Sequence, residues 1–151
     1  MFSYKYSRPT VAIDCVVFGW NETGLNALLV KRNTEPFKGK WSLPGGFVME
    51  EEATDKAASR VLKTKAGLTN IFFEQLYTFS NKERDPRGWI ITVAYYALVG
   101  LNQEMQQHEG TEESKWFPVE RIPALAFDHR TIFNTAMERL KGKVRYQPIG
   151  F

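Results

Sequence analysis

The sequence has few of the residues from which disulfide frameworks and zinc sites are built. Cys15 is the only cysteine, which excludes an internal disulfide and a cysteine-based zinc site within one chain. His108 and His129 are the only histidines, and two leave little room for a histidine-based metal site. Any metal would therefore need carboxylate ligands, which favour Mg²⁺ or Mn²⁺ over Zn²⁺.

Long apolar runs are also absent. The first nine residues, MFSYKYSRP, lack the apolar segment of a signal peptide, and no run approaches the ~20 residues that span a membrane. These absences favour a cytoplasmic protein with no membrane partner. Neither sign of charge dominates, since 20 Lys and Arg oppose 17 Asp and Glu. The net charge of +3 suits an anionic small ligand and is weak evidence for nucleic acid binding.

Length and composition predict one globular domain over residues 1–151, because 43% of the residues are hydrophobic and 25% are charged. Periodicity predicts strands at 10–18, 25–32, 71–80, 89–100 and 114–118, and helices at 53–66 and 130–141. We expect a hairpin across residues 21–24, a long loop at 33–46, and helix ends at Gly67 and Gly142. Strands that come in blocks favour an α+β fold with a mixed sheet.

Two expectations concern polar side chains in these elements. Asp14 lies inside the first apolar strand, so its carboxylate needs a partner. Asp128 is placed to cap the last helix, and we expect His129 to belong to the same cap. The aromatic residues Tyr77 and Phe79 have two interpretations: core packing, which is favoured, or stacking on an adenine.

One stretch carries a recognisable chemical signature. From Gly46 the sequence reads GFVMEEEATDKAASRVLKTKAGL, with Glu52 after five intervening residues and Arg60 after seven more. This spacing resembles the Nudix box, the loop–helix–loop signature of hydrolases that cleave nucleoside diphosphates linked to another group. The preceding Trp41–Gly46 segment, WSLPGG, is similar to the usual entry to that box. The resemblance implies a Nudix fold, an α/β/α sandwich, in which Glu52, Arg60 and Gly67 are structural parts of the box.

The match fails at the positions that matter for catalysis. In the family pattern three glutamates on one helix face hold divalent cations, which neutralise phosphate charge and activate water. The corresponding residues here are Val61, Thr64 and Lys65. We therefore expect no metal site and no cofactor, with catalysis weak or lost. One hypothesis is that the Lys65 ammonium replaces the metal charge beside a diphosphate; the alternative is an ordinary solvated lysine.

The resemblance extends over nearly the whole chain, to regulators of the NrtR and AraR type and to related ADP-ribose pyrophosphatases. In those regulators a Nudix-like domain senses a ligand and a winged helix-turn-helix follows it. The resemblance implies a sensor of ADP-ribose or a related phosphosugar, the effector half of a longer homodimeric protein. Nothing within residues 1–151 predicts a helix-turn-helix, so no nucleic acid binding is assigned to this chain. The residues expected to bind the ligand are Arg32, Phe37, Lys38, Gly45, Gly46, Lys65, Arg84 and Arg87.

Two other functions stay open at this point. The first is an active Mg²⁺-dependent pyrophosphatase that uses relocated carboxylates, with Glu50, Glu51, Glu52 and Glu112 as candidates. The second is a sensor of an unphosphorylated pentose. For these acidic residues the ordinary interpretation is an ion pair of Glu52 with Arg60 and solvated side chains for the rest.

Overall fold

The computed structural model describes residues 3–102 and 113–146. The strands are β1 (Thr10–Asn21), β2 (Gly24–Lys31), β3 (Trp41–Ser42), β4 (Gly45–Phe47), β5 (Phe73–Phe79), β6 (Ile90–Gly100) and β7 (Ser114–Pro118). The helices are α1 (Thr54–Ala66) and α2 (His129–Tyr146), with a single 3-10 turn at Val119–Arg121. No helix within the described ranges is both long and apolar enough to cross a membrane.

In the described residues the strands form one sheet in the order β3-β2-β1-β6-β5, with β4 paired to β1 and β7 to β2. β1 and β6 are parallel, and the remaining pairs are antiparallel, which confirms the predicted mixed sheet. β1 changes partner along its length. Its residues 12–14 pair with β4, whereas residues 18–21 pair with β2. This change places β4 beside Asp14.

The alternation of side chains along β1 builds two cores. Ile13, Cys15 and Val17 pack on the α1 side of the sheet, and Val16 and Phe18 pack on the α2 side. Each helix buries one apolar stripe, formed by Ala57, Ala58, Val61, Leu62 and Ala66 in α1 and by Ile132, Phe133, Ala136 and Leu140 in α2. The expected α+β fold with α/β/α layers is confirmed.

The end of α1 lies where the sequence predicts it. Gly67 has φ 68°, in the left-handed region that glycine adopts without a Cβ clash. Its N–H donates to the carbonyl of Lys63, and the N–H of Leu68 donates to the carbonyl of Leu62. These two bonds satisfy carbonyls that the end of a helix would otherwise leave unpaired.

Two predicted boundaries are wrong. Residues 33–46 are not one loop, because they contain β3 and begin β4, and both strands form through pairing with distant segments. Gly142 does not end α2, which continues to Tyr146. A glycine inside a helix costs only about 1 kcal/mol, and Lys143 beyond it donates to Glu74 of β5 at 2.8 Å. Contacts of α2 with the sheet therefore outweigh the tendency of Gly142 to end the helix.

Tyr77 also departs from the favoured interpretation of core packing. It is 61% exposed on β5, which is an edge strand among the described residues, beyond a β-bulge between Gln75 and Tyr77. Its ring contacts Phe79, which is half-buried, with 5.3 Å between the ring centroids.

The two glycines of β4 give a matched test of this packing. A Cβ on Gly45 would lie 2.4 Å from Oδ1 of Asp14 and 2.7 Å from the carbonyl oxygen of Ile13, whereas a Cβ on Gly46 would lie 3.4 Å from Val61. We expect Gly45→Ala to lower the free energy of unfolding by about 1–3 kcal/mol, because the strand must shift. Gly46→Ala should be neutral or stabilise by up to about 1 kcal/mol. Urea unfolding measures the free energy of unfolding of both variants. Equal changes would show that the close approach of Gly45 to Asp14 is unimportant for stability.

Candidate functional site

A cavity of about 240 Å³ lies between β1, β4, the turn at residues 84–87 and the start of α2. Its buried polar lining, which we call the cavity floor, consists of Asp14, Ser42, Arg84, Asp85 and His129. Its more exposed cationic lining, which we call the cavity mouth, consists of Arg32, Lys65 and Arg87. The cavity is therefore positively charged where a ligand would enter.

The carboxylate of Asp14 is surrounded by donors. Thr92 Oγ1 donates to Asp14 Oδ2 at 2.7 Å, His129 Nε2 lies 3.3 Å from Oδ1, and Arg84 Nη2 lies 3.7 Å from Oδ2. Burial alone would raise the pKa of Asp14, but these three neighbours lower it below its ordinary value. Asp14 is thus a stable anion in the cavity floor at neutral pH, and the partner that its sequence position requires is present.

The ring of His129 is held on both sides. The backbone N–H of Leu43 donates to His129 Nδ1 at 3.0 Å, so Nδ1 is the acceptor and Nε2 carries the proton that faces Asp14. His129 begins α2 as its first residue, but its side chain lies in the cavity floor, so the expected part in a helix cap is wrong.

Arg84 is a buried part of the cavity lining that holds neighbouring segments together. Its Nε and Nη2 donate to the two carboxylate oxygens of Asp128 at 2.8 and 2.7 Å, and its Nη1 donates to the carbonyl of Ile90 at 3.3 Å. Only 3% of its side chain is exposed. Asp128 precedes α2 as predicted, and its carboxylate binds this guanidinium. Arg84 therefore ties the turn at 84–87 to the start of α2.

Two arginines of the cavity mouth are oriented by other groups. Arg87 donates through Nε and Nη2 to the buried carboxylate of Asp85, at 3.0 and 2.7 Å. Burial raises the pKa of Asp85, but the hydrogen bonds from Arg87 lower it below its ordinary value. Arg32 Nε donates to the carbonyl of Pro36 at 2.7 Å. Both guanidinium groups also contact the ring of Phe127, at 4.9 Å for Arg32 and 5.0 Å for Arg87.

The next feature is an ion pair on the neighbouring loop and helix. Arg60 Nε and Nη2 donate to the two carboxylate oxygens of Glu52 at 2.9 and 3.0 Å, and Nη2 also donates to the carbonyl of Phe47 at 2.8 Å. The hydrogen bonds from Arg60, helped by one from the N–H of Met49, lower the pKa of Glu52 to about 2. The predicted pair is present, and it ties the segment after β4 to α1.

The structure brings most of the expected ligand-binding residues together. Arg32, Gly45, Gly46, Lys65, Arg84 and Arg87 line the same cavity. Phe37 lies beside it, with its ring 4.8 Å from that of Phe127, whereas Lys38 is not part of the lining. Their role in binding stays a prediction. Sequence reasoning missed Phe127 as a site residue, although the resemblance extended over nearly the whole chain.

Comparison with known proteins places the chain in a family. The NUDIX domain family matches residues 8–136. The chain belongs to the Nudix family. It is 38% identical over 145 residues to the ADPR responsive transcriptional repressor NtrR of Acinetobacter baylyi, a match covering 93% of this chain and 58% of the repressor. The chain thus spans little more than half the length of that relative.

Two further relatives match over most of their length. The ADP-ribose pyrophosphatase of Methanocaldococcus jannaschii is 34% identical over 137 residues, which cover 91% of this chain and 78% of the enzyme. The NUDIX domain of Shewanella oneidensis NrtR, solved in complex with ADP ribose, has a TM-score of 0.77 and 37% identity. That comparison covers 89% of this chain and 90% of the solved domain.

The Nudix family implies a divalent cation, so the fit of the residues to Mg²⁺ can be tested. At the three glutamate positions of the box, Val61 is buried in the core, Thr64 Oγ1 donates to the carbonyl of Arg60 at 2.9 Å, and Lys65 lines the cavity. Within residues 3–102 and 113–146 no group of three or more His, Cys, Asp or Glu side chains could hold a metal ion. An isopropyl group, a donating hydroxyl and an ammonium do not fit Mg²⁺.

Of the relocated carboxylates, those that the structure describes do not rebuild that site. Glu52 is held by Arg60, and both Glu50 and Glu51 are exposed and lie outside the cavity lining. Glu112 lies outside the described residues.

The Glu52–Arg60 pair gives a prediction about pH. Folding lowers the pKa of Glu52 from 4.5 to about 2, so its stabilisation is complete above pH 4.5 and disappears as the pH falls towards 2. We expect Glu52→Gln to lower the melting temperature at pH 7, and the difference from wild type to shrink over that acid range. Thermal unfolding across pH measures it, with Glu51→Gln as the exposed control. A difference that stays constant from pH 7 to pH 2 would contradict this account.

Proposed function

We propose that this domain binds ADP-ribose, or a related nucleoside diphosphate sugar, as a sensor and does not hydrolyse it at an enzymatic rate. The observation that carries the proposal is the cavity mouth, where cations stand in a Nudix fold that lacks the glutamates of the box. Relatives described as ADPR responsive, as an ADP-ribose pyrophosphatase and as complexed with ADP ribose support the choice of ligand class.

Binding follows from charge. A diphosphate carries at least two negative charges at neutral pH, and Arg32, Lys65 and Arg87 surround the entrance of the cavity. Arginine recognises phosphate oxygens through planar N–H groups, and lysine supplies a compact point charge. Lys65 stands at a position where the family pattern has a glutamate. Its ammonium therefore supplies directly the positive charge that a bound cation would supply in an active relative.

Loss of hydrolysis follows from the same residues. The family reaction needs an activated water, and Val61, Thr64 and Lys65 offer no carboxylate to a cation that would activate it. His129 is no substitute base, because Nδ1 already accepts from Leu43 and Nε2 carries the proton facing Asp14. The hydrolase alternative would thus depend on carboxylates that lie outside the cavity or outside the described residues.

The pentose alternative has less support than a phosphorylated ligand. A neutral sugar would offer no negative charge to the cationic groups of Arg32, Lys65 and Arg87 at the cavity mouth. We further propose that the domain is the ligand-binding part of a homodimeric regulator with a winged helix-turn-helix. The support is its similarity to a repressor of which it spans 58% of the length.

Two lysines on α1 provide a matched test of binding. Lys65 lines the cavity, whereas Lys63 is exposed on the same helix and lies outside the lining. In calorimetric titrations with ADP-ribose, we expect Lys65→Glu to raise the Kd by roughly tenfold or more, since an attraction becomes a repulsion close to the diphosphate. Lys63→Glu changes the net charge equally and should alter the Kd by about twofold or less.

The outcome also separates the candidate ligands. Absence of ADP-ribose binding by the wild type would overturn the proposal, and binding of a free pentose instead would favour the sugar sensor. Equal effects of the two lysine substitutions would remove the special role of Lys65 and leave only a general charge effect.

A further inference from the structure

Two phenylalanines next to the cavity mouth have a backbone conformation that side chains rarely adopt. Phe37 has φ 63° and Phe127 has φ 54°, both in the left-handed region. Such conformations are strained for bulky residues and persist where surrounding contacts impose them. The two rings contact each other edge to face, with 4.8 Å between centroids and 67° between planes. Glu51 and Asn70 also have positive φ, but the two phenylalanines are the ones that contact each other.

Phe127 joins this pair to the charged groups of the cavity. The guanidinium carbon of Arg32 lies 4.9 Å from its ring centroid and that of Arg87 lies 5.0 Å away. The ring of His129 is 5.2 Å from it, on the side of the cavity floor. One aromatic ring therefore contacts two cations from different segments, which would otherwise repel each other.

Hydrogen bonds tie each of these arginines to its own segment, and Arg87 also lies over the ring of Phe47 at 5.0 Å. Arg32 donates to Pro36, four residues along the chain, and Arg87 donates to Asp85, two residues back. Phe127 is the contact, among those described here, that the two side chains share. The attraction of each cation to the ring face offsets their mutual repulsion. Both guanidinium groups thus lie within about 5 Å of the same ring.

We propose that Phe127 is a positioning residue that sets Arg32 and Arg87 in the arrangement in which both reach one anionic group of the ligand. The inference rests on the proposed function for the identity of that ligand. The strained backbone at Phe127 is part of this arrangement, because it directs the ring over the cavity mouth. The next residue, Asp128, is held in place by its bond to Arg84. Ligand recognition then depends on a side chain that carries no charge.

The test compares substitutions that keep or remove the aromatic face. We expect Phe127→Leu to raise the Kd for ADP-ribose about tenfold and Phe127→Tyr to change it by about twofold or less. Phe73→Leu is the control, because Phe73 is a half-buried ring that packs on Tyr95 on the α1 side of the sheet. Melting temperatures identify any variant that fails to fold.

A double-mutant cycle separates positioning from a structural role. If Phe127 acts through the arginines, Phe127→Leu should cost much less affinity in an Arg32→Gln background than in the wild type. Additive losses would overturn the proposal. Relaxation of the arginine Nε–Hε NMR signals needs no ligand: we expect Arg32 and Arg87 to become more mobile in Phe127→Leu. Unchanged mobility would also overturn it, even if ADP-ribose proved not to bind and the proposed function failed.

Discussion

The carboxylate of Asp14, buried in the central strand of the sheet, is the constraint on which the site depends. A buried charge is costly unless it is paired and hydrogen-bonded, and here Thr92, His129 and Arg84 satisfy it. Each partner belongs to a different segment, so satisfying one carboxylate fixes β6, the start of α2 and the turn at 84–87 together. The same carboxylate leaves no room for a side chain at position 45. Because Gly45 has none, β4 can lie against β1.

The charges of the site divide into two groups with different consequences. Those beneath and in the cavity floor compensate one another, since Asp14 and Asp128 face Arg84. The cavity mouth adds the cationic groups of Arg32, Lys65 and Arg87, and we propose that these meet the negative charge of the ligand. Under the proposed function, a Nudix fold keeps a site suited to a diphosphate after its cation-binding carboxylates have been replaced.

The scaffold of the Nudix box persists here although its catalytic positions do not. Glu52 and Arg60 still join the segment after β4 to α1, and Gly67 still ends the helix in a left-handed conformation. These residues stabilise the loop and the helix whatever ligand is bound. Under the proposed function, loss of turnover would remove the need for the glutamates but not for these structural residues.

Local patterns were sufficient to predict much of this structure. The long strands, α1, its end at Gly67 and the Glu52–Arg60 pair follow from periodicity, glycine conformation or a known spacing. Features that depend on distant contacts could not be predicted in this way. β3 and β4 form only beside β2 and β1, and the sheet holds α2 past Gly142. Tyr77 is exposed on β5, an edge strand within the described ranges, and no local pattern indicates that position.

The candidate site shows the same division between features that local patterns predict and features that depend on distant contacts. Arg32, Lys65 and Arg87 were identified from a resemblance, but the ring that Arg32 and Arg87 share was not, since Phe127 lies 95 residues after Arg32 and 40 after Arg87. Its importance follows from geometry alone. The partners of Asp14 were likewise unknown until the fold brought residues 84, 92 and 129 beside it.

A phosphorus NMR time course on ADP-ribose with this protein and Mg²⁺ tests the central claim most directly. The account predicts that the two diphosphate resonances persist and that they broaden and shift as protein is added, which is binding without turnover. Replacement of these resonances by those of phosphomonoesters at an enzymatic rate would contradict it, because a catalytic metal site would then exist in spite of Val61, Thr64 and Lys65.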